Sequence, residues 1–410
     1  MTLMQSAISR RSRAPARGWL AAVACAAACG TSLTSLAADL PATLPHVLFR
    51  GPPAGPAAMP GGDWSRANRS DTLADAAALG IVWQRRVSAG VSCNLLVDAQ
   101  GRLFVAGSGH VTELGFDGRV AYRKTVELSE CLAAALLADG SRVVLGAEGR
   151  LSAWSPRGGG RFDLALDAPA RFSHSSLLPL PDGGVLASLG SRIFDVGPDG
   201  ELRAHAQLGH DVAESLVIGE RVVLVDALGQ INEWNGRSPP RRRGSFGTSV
   251  AAVAASDPST LIGLASRAAL AFSLEEGEPR PLFAFDRTGV LPLISVPVPG
   301  HPVFLRTDGS VEHASSAPLA LPARAGTGLE PLRDAQLVAS GDGVVVWVAA
   351  NLPLEVVSDG QPPRTLPDVV CAQPVSLVPA LAGHLVLACK TGQLWLIGPT
   401  AREGPGTDPP

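Results

Sequence analysis

Short apolar runs separated by Gly-containing turns recur along most of the chain. Residues 94–119 read NLLVDAQGRLFVAGSGHVTELGFDGR, and residues 135–158 read ALLADGSRVVLGAEGRLSAWSPRG. Each segment contains an apolar run, a turn with Asp and Gly, a second apolar run, a second Gly turn and a third short run. Apolar runs of this length between such turns predict three β-strands joined by tight connections.

The pattern repeats eight times. The first residue of the second apolar run marks each copy, and successive marks are 37 to 42 residues apart. These marks are Leu103, Val143, Val185, Val222, Leu261, Val303, Val344 and Leu385. A period near forty residues is typical of four-stranded propeller blades, whereas helical repeats of similar length would show 3.6-residue patterning.

Polarity differs between the strands of one copy. The second runs, such as RLFVAG and GVVVWVAA, are almost continuously apolar, as expected for strands buried on both faces. The fourth run is more polar, as in VAYRKTV (120–126) and LRAHAQL (202–208). This difference predicts inner strands between neighbouring blades and an outermost strand in contact with water.

The two ends of the repeat region complete one another. IVWQRRV (81–87) aligns with VAYRKTV, so that Trp83 matches Tyr122, and it has no first three strands before it. The last copy, which begins near Cys371, has three strands and ends with QLWLIG (393–398). We therefore predict an all-β fold, an eight-bladed β-propeller of four-stranded antiparallel blades, closed by an N-terminal strand in the last blade. Closure removes two open sheet edges.

The first residues have the pattern of a Sec-type export signal. Arg10, Arg11, Arg13 and Arg17 precede the apolar core WLAAVACAAAC (19–29), and small residues allow cleavage after Ala37 or Ala38. The predicted parts are a signal peptide (1–37), a Pro/Gly/Ala-rich linker (38–78), the propeller (79–400) and a disordered tail (401–410). This predicts a periplasmic or extracellular protein. Cleavage before Cys29 with lipid anchoring is the alternative.

Composition narrows the range of partners. The net charge of the 410-residue chain is −3, and it becomes −7 when the four arginines of the predicted signal leave, because residues 1–37 contain no acidic residue. An acidic chain has no electrostatic reason to bind nucleic acid. The basic run at Arg237 and Arg241–Arg243 is flanked by Pro and Gly, which indicates a solvated loop. No apolar run is long enough to span a bilayer, so an integral membrane protein is not expected.

The segment VDAQGRLFVAGSGHVTELGFDGRVAY (97–122) resembles the strand–turn–strand unit of PQQ-like, or quinoprotein-type, β-propeller repeats. The resemblance covers residues 79–400. The family includes dehydrogenases that hold pyrroloquinoline quinone (PQQ) and calcium, and non-catalytic propellers such as the outer-membrane assembly lipoprotein. Its catalytic branch has an adjacent Cys-Cys pair, and this chain has none. The resemblance therefore implies the non-catalytic branch, without PQQ.

Tryptophans and known catalytic motifs give no support for cofactor chemistry. The tryptophans of the repeats fall inside predicted strands, where core packing is the expected role; they are Trp154, Trp234, Trp347 and Trp395. The chain has no Gly-x-Ser-x-Gly, His-Glu-x-x-His, phosphate-binding glycine loop or Cys-x-x-Cys.

The loops that precede the innermost strands open toward the central channel of a propeller, where ligands usually bind. Polar residues at these positions are candidate ligand-binding residues: Glu130, His174, His210, Asp211, Glu214, Arg333, Asp334 and Gln373. Glu130 to Glu214 belong to three successive blades, so their His and carboxylate groups could converge on a calcium or zinc ion. The alternative is that these residues bind no ligand and are polar because polar residues occur in any loop.

The predicted mature chain keeps four cysteines in an oxidising compartment. Their positions favour the disulfides Cys371–Cys389 and Cys93–Cys131 among three pairings, and buried free thiols are the alternative.

From these features we expect a monomeric, exported, non-catalytic propeller that binds a protein or a cell-envelope component. The alternative is a metal-dependent hydrolase or lactonase with its site at the mouth of the channel.

Overall fold

The chain folds into eight antiparallel sheets arranged as the blades of a propeller. A computed structural model describes residues 69–70, 73, 76–87, 90–167, 174–218, 221–236, 238–285, 290–313, 332, 334–358 and 361–400. All of them belong to one compact unit, Leu44–Pro410. The predicted signal peptide, the predicted tail and Arg333 lie outside the described residues. In the described part of the chain, no helix has the length and hydrophobicity of a membrane span.

The first four blades each contain four described strands in sequence order, with the first strand innermost. Blade 1 contains β3 (Leu96–Val97), β4 (Leu103–Gly107), β5 (His110–Leu114) and β6 (Val120–Thr125). Blade 2 contains β7 (Cys131–Leu136), β8 (Arg142–Gly146), β9 (Arg150–Trp154) and β10 (Gly160–Ala165). Blade 3 contains β11 (Ser175–Pro179), β12 (Val185–Leu189), β13 (Arg192–Val196) and β14 (Leu202–Gln207). Blade 4 contains β15 (Val212–Ile218), β16 (Arg221–Asp226), β17 (Gln230–Trp234) and β18 (Arg241–Ser245).

The remaining blades follow the same plan. Blade 5 contains β19 (Ala252–Asp257), β20 (Thr260–Leu264), β21 (Ala268–Ser273) and β22 (Pro279–Ala284). The described strands of blade 6 are β23 (Val290–Val298), β24 (His301–Arg306) and β25 (Val311–His313). Blade 7 contains β26 (Gln336–Ser340), β27 (Val345–Val348), β28 (Pro353–Val357) and β29 (Arg364–Val370). Blade 8 contains β30 (Pro374–Pro379), β31 (Leu385–Cys389), β32 (Gln393–Pro399) and the N-terminal β2 (Leu79–Arg86).

The N-terminal strand closes the ring as predicted. β2 pairs antiparallel with β32, with Leu79 opposite Pro399, Trp83 opposite Leu396 and Arg86 opposite Gln393. Trp83 therefore lies in the same sheet as Trp395. The last blade thus takes three strands from the end of the chain and one from its beginning.

The hydrophobic core lies between the blades. In β4, Leu103 and Val105 belong to the cluster shared with blade 8, while Phe104 and Ala106 belong to the cluster shared with blade 2. Such clusters join every neighbouring pair of blades. Successive residues of a strand face opposite sides of the sheet, and each side meets another blade. This is why the inner strands have continuous apolar sequences.

The four tryptophans of the repeats lie in this core, as predicted. Their exposed fractions are 8% or less: Trp154 8%, Trp234 4%, Trp347 1% and Trp395 3%. The outermost strands are polar and exposed; β6, for example, has one half-buried residue among six. Both observations agree with the polarity difference in the sequence.

The Asp-containing turns are fixed by their own side chains. Asp98 Oδ1 accepts hydrogen bonds from the backbone N–H of Gln100 at 3.0 Å and of Arg102 at 2.8 Å. Asp139 and Asp182 accept the equivalent bond from the residue two positions later. An aspartate of this kind replaces a backbone turn partner and aligns the first two strands of a blade.

An aromatic side chain on the outermost strand covers a turn glycine of the next blade. This contact occurs at three successive interfaces, between Trp83 and Gly118, Tyr122 and Gly158, and Phe162 and Gly200. The three glycines have φ of +75°, +81° and +85°. They are needed both for the left-handed backbone and for the close approach of the ring.

The last residues of the predicted linker belong to the propeller. β1 (Arg69–Ser70) pairs parallel with the end of β26, on the channel side of blade 7. Leu73 and Ala76 are buried in the cluster between blades 7 and 8. The guanidinium of Arg364 donates hydrogen bonds to the carbonyls of residues 76, 77 and 79 at 2.6 to 3.1 Å. This segment therefore runs from the channel to the outer edge of blade 8.

Replacing Gly200 with alanine should destabilise the propeller. The added Cβ would lie 2.4 Å from Phe162 Cβ, and φ is +85°. We expect a loss of about 1–3 kcal/mol in the free energy of unfolding, because both strain and overlap must be accommodated. Denaturant unfolding measures this loss. The matched control is Gly160→Ala, whose Cβ would have nothing within 4 Å; equal effects of the two substitutions would contradict the packing described.

Candidate functional site

The described members of the predicted channel-mouth set lie directly before or at the start of innermost strands. Glu130, His210, Asp334 and Gln373 are exposed and precede β7, β15, β26 and β30. His174, also exposed, precedes β11, and Asp211 and Glu214 are half-buried at the start of β15. Their backbones hold the loops together; the carbonyl of Glu130, for example, accepts a hydrogen bond from Ala147 N–H at 3.1 Å.

Among the described residues, no group of three or more His, Cys, Asp or Glu side chains is arranged to hold a metal ion. The side chain of Glu214 accepts a hydrogen bond from Ser215 N–H at 3.1 Å. Ligand binding at the mouth therefore stays a prediction. The same holds for calcium or zinc.

The four cysteines of the propeller form the two disulfides that the sequence favoured. Cys93–Cys131 joins the loop before the first blade to the innermost strand of blade 2, with a Cα–Cα distance of 5.4 Å. Cys371–Cys389 lies within blade 8, with a Cα–Cα distance of 5.9 Å. All four residues are buried. The first disulfide is thus a covalent link between two neighbouring blades.

The outer rim carries most of the exposed large hydrophobic residues. Seven such side chains are exposed in the described part of the chain, and five of them lie on outermost strands. These five are Val82, Val120, Tyr122, Leu202 and Val370, on blades 8, 1, 1, 3 and 7. Among these five, Val120 and Tyr122 share one strand, β6, and the other three lie on separate blades. The rim therefore is a second candidate site, distinct from the channel mouth.

A cavity of about 150 Å³ opens on this rim between blades 1 and 2. We call it the rim cavity, lined chiefly by Phe104, Glu113, Tyr122, Arg142, Trp154 and Arg157. β4, β5 and β6 supply one wall, and β9 with its following turn supplies the other. The turn approaches closely because Gly158 lies under the ring of Tyr122.

A buried ion network forms the base of the rim cavity. The Arg142 guanidinium, 4% exposed as a residue, pairs with Glu113 through Nη2. Glu113 also pairs with Arg102 Nη1 at 3.3 Å, and Arg102 Nε pairs with Asp98 at 2.6 Å. Burial lowers the pKa of Arg142 from its ordinary value, and the Glu113 carboxylate opposes that shift. An arginine keeps its charge even so, and the network therefore links the two blades electrostatically.

A larger groove of about 460 Å³ lies on the other side of Trp154. Arg150 there pairs with Glu127 at 2.9 Å and donates to Asp163 Oδ1 at 2.8 Å. The hydrogen bonds from Arg150 hold the pKa of Asp163 below its ordinary value, although partial burial opposes this. The pKa of Arg150 is raised by the same bonds. One guanidinium thus faces two carboxylates in this groove.

Two cations near Trp154 have no carboxylate partner in the described structure. Lys124 Nζ donates to the carbonyl of Gly158 at 3.3 Å and lies 5.6 Å from the centre of the Trp154 ring. Arg157 is exposed in the turn beside it. Arg157 lines the rim cavity, whereas Lys124 lines the neighbouring groove. Arg157 is therefore the cation of the rim cavity that has no carboxylate partner in the described structure.

Sequence reasoning did not find the rim cavity. Trp154 was predicted to be a core residue, and Arg142 and Glu113 were not singled out. One signal was present: Tyr122, the only tyrosine of the chain, stands in an otherwise polar outermost run and aligns with Trp83. The pairing of Arg142 with Glu113 had no such signal, because 29 residues separate them and the contact crosses an interface between blades.

No protein-family model matches the chain, and no curated protein matches it significantly. Solved structures do. BamB from Moraxella catarrhalis has a TM-score of 0.57 at 16% identity, over 78% of this chain and 97% of that one. The similar structures are β-propellers. The computationally designed Ika8 protein has a TM-score of 0.61 at 15% identity, over 77% and 98%. The WD40 β-propeller domain of Doa1 has a TM-score of 0.50 at 10% identity, over 79% and 98%.

These likenesses concern the fold. Identities of 10% to 16% do not transfer a function, because one propeller scaffold serves many unrelated activities. The resemblance to a propeller repeat family is consistent with the structures, and its assignment to PQQ-like repeats stays a prediction.

Removing the disulfide between blades should destabilise the ring. Cys93 and Cys131 are 38 residues apart, and a crosslink over such a loop contributes about 2–4 kcal/mol. We expect the Cys93→Ser, Cys131→Ser double variant to unfold at a lower temperature than the oxidised parent. The variant should also respond less than the parent to a reducing agent. An unchanged melting temperature would show that the link adds nothing to the contact between blades 1 and 2.

Proposed function

We propose that the protein is an exported, non-catalytic propeller that binds a protein or a cell-envelope component through its outer rim. The observation that carries this proposal is the concentration of exposed hydrophobic side chains on the outermost strands of blades 7, 8, 1 and 3. The same part of the rim has the cavity and the groove between blades 1 and 2.

The outermost strands also offer backbone groups to a partner. In blade 1, β6 pairs only with β5, so its outer edge carries unpaired N–H and C=O groups in alternation. Such edges accept partner strands in many complexes. β2 and β6 carry one lysine and three arginines, Lys124, Arg85, Arg86 and Arg123. They limit uncontrolled pairing because charged edges discourage aggregation. A strand edge that offers unpaired backbone groups and also carries charged side chains is suited to binding one specific partner.

Site-specific photo-crosslinking tests the proposal. A benzoylphenylalanine placed at Val120, 59% exposed on β6, should form a defined crosslinked product in the envelope fraction of the source organism. The same group at Gln373, exposed directly before the innermost strand of blade 8, is the matched control and should form none.

The outcome separates the two surfaces. A product that forms from Val120 and is lost when excess unmodified protein competes supports rim binding. A product only from Gln373, or none from either position, would overturn the proposal.

A metal-dependent hydrolase or lactonase at the channel mouth is the alternative, and no observation in the described residues favours it. Elemental analysis of the purified mature protein tests it. A stoichiometric divalent ion that is lost in His210→Ala and Glu214→Gln variants would replace our proposal with the enzyme.

A further inference from the structure

The rim cavity has the size of one side chain. Its volume of about 150 Å³ is smaller than the roughly 300–1,000 Å³ of pockets that enclose a whole small ligand. Its walls are mainly apolar, and the rings of Phe104, Tyr122 and Trp154 are among the groups that line it. Protein interfaces use such pockets for single aromatic or large aliphatic anchors. The shape therefore favours a protruding side chain over a free metabolite.

The charges around the rim cavity determine whether a partner residue beside the inserted side chain should be anionic or cationic. At the base, Arg142 is already paired with Glu113, and its Nε has no hydrogen-bond partner in the described structure. Among the residues that line the cavity, the exposed Arg157 has no carboxylate partner in the described structure. A cationic neighbour would be repelled by this group, and an anionic neighbour would be attracted.

We infer that the rim cavity is the anchor site for a partner segment in which an aromatic or large aliphatic residue stands next to an acidic one. The apolar side chain packs between Tyr122 and Trp154, and the carboxylate remains at the mouth, facing Arg157. This inference rests on the proposed function, because it names the chemistry of the partner that the rim binds.

Blocked dipeptides test this inference. The probe is acetyl-Phe-Asp-amide, and its matched controls are acetyl-Phe-Asn-amide and acetyl-Ala-Asp-amide. Their dissociation constants are measured by ligand-observed NMR on the mature protein. We expect binding of the probe to be about threefold to fivefold tighter than binding of the Asn control, the range of an exposed ion pair. It should be about tenfold tighter than binding of the Ala control, which cannot fill the cavity.

Arg157 is exposed, so Arg157→Gln should keep the fold, whereas Arg142 is buried and its loss would disturb two blades. Tyr122 also packs on Gly158, so the melting temperature of Tyr122→Ala is measured beside its binding. Arg157→Gln should abolish the preference for Asp over Asn and leave the preference for Phe over Ala. Tyr122→Ala should weaken binding of the probe and of the Asn control alike. Arg241→Gln is the matched control, because it removes an exposed rim charge on blade 4 and should change nothing.

Each outcome decides the assignment. The predicted pattern across the peptides and variants supports it. Equal binding of the Asp and Asn peptides, no detectable binding of the probe, or equal effects of Arg157→Gln and Arg241→Gln would overturn it. Crosslinking from Val120 without binding of the probe would contradict the inferred partner residues and would leave the proposed function supported. Absence of both would remove the proposed function as well.

Discussion

Burial of sheet faces between neighbouring blades is the constraint on which this structure depends. A single four-stranded blade has apolar residues on both faces, as Leu103 and Phe104 show by facing blades 8 and 2. Leaving either face in water would cost more free energy than the small net stability of a folded protein can offset. Each blade therefore requires two neighbours, and only a closed ring provides two neighbours for every blade.

Ring closure explains why the beginning of the chain is placed where it is. Blade 8 shares one cluster with blade 7 and another with blade 1, and β2 supplies its outermost strand. Trp83 on β2 then makes with Gly118 the contact that Tyr122 makes with Gly158 at the next interface. Arg364 holds the preceding residues against blade 7. The interface between blades 8 and 1 thus has the same aromatic–glycine contact as the interfaces between blades 1 and 2 and between blades 2 and 3.

The fold was predictable because its signals are local and repeated. The period near forty residues, the continuous apolar runs and the unmatched strand at residues 81–87 each follow from burial between blades. The site was less predictable. The position of β1 beside β26 and the pairing of Arg142 with Glu113 depend on contacts between segments far apart in sequence. Such contacts leave no repeating pattern of hydrophobic and polar residues in the sequence. The channel-mouth residues illustrate the limit, since a sequence places them before innermost strands but does not show whether their side chains converge on an ion.

Hydrogen–deuterium exchange of β2 tests the closed ring most directly. If β2 completes blade 8, the amides of residues 79–86 that bond to β32 should exchange as slowly as those of β14, an outermost strand held within a continuous blade. Mass spectrometry of peptides from the two strands gives the comparison in one experiment. Exchange of β2 at the rate of an unstructured peptide, with β14 protected, would contradict closure by the N-terminal strand.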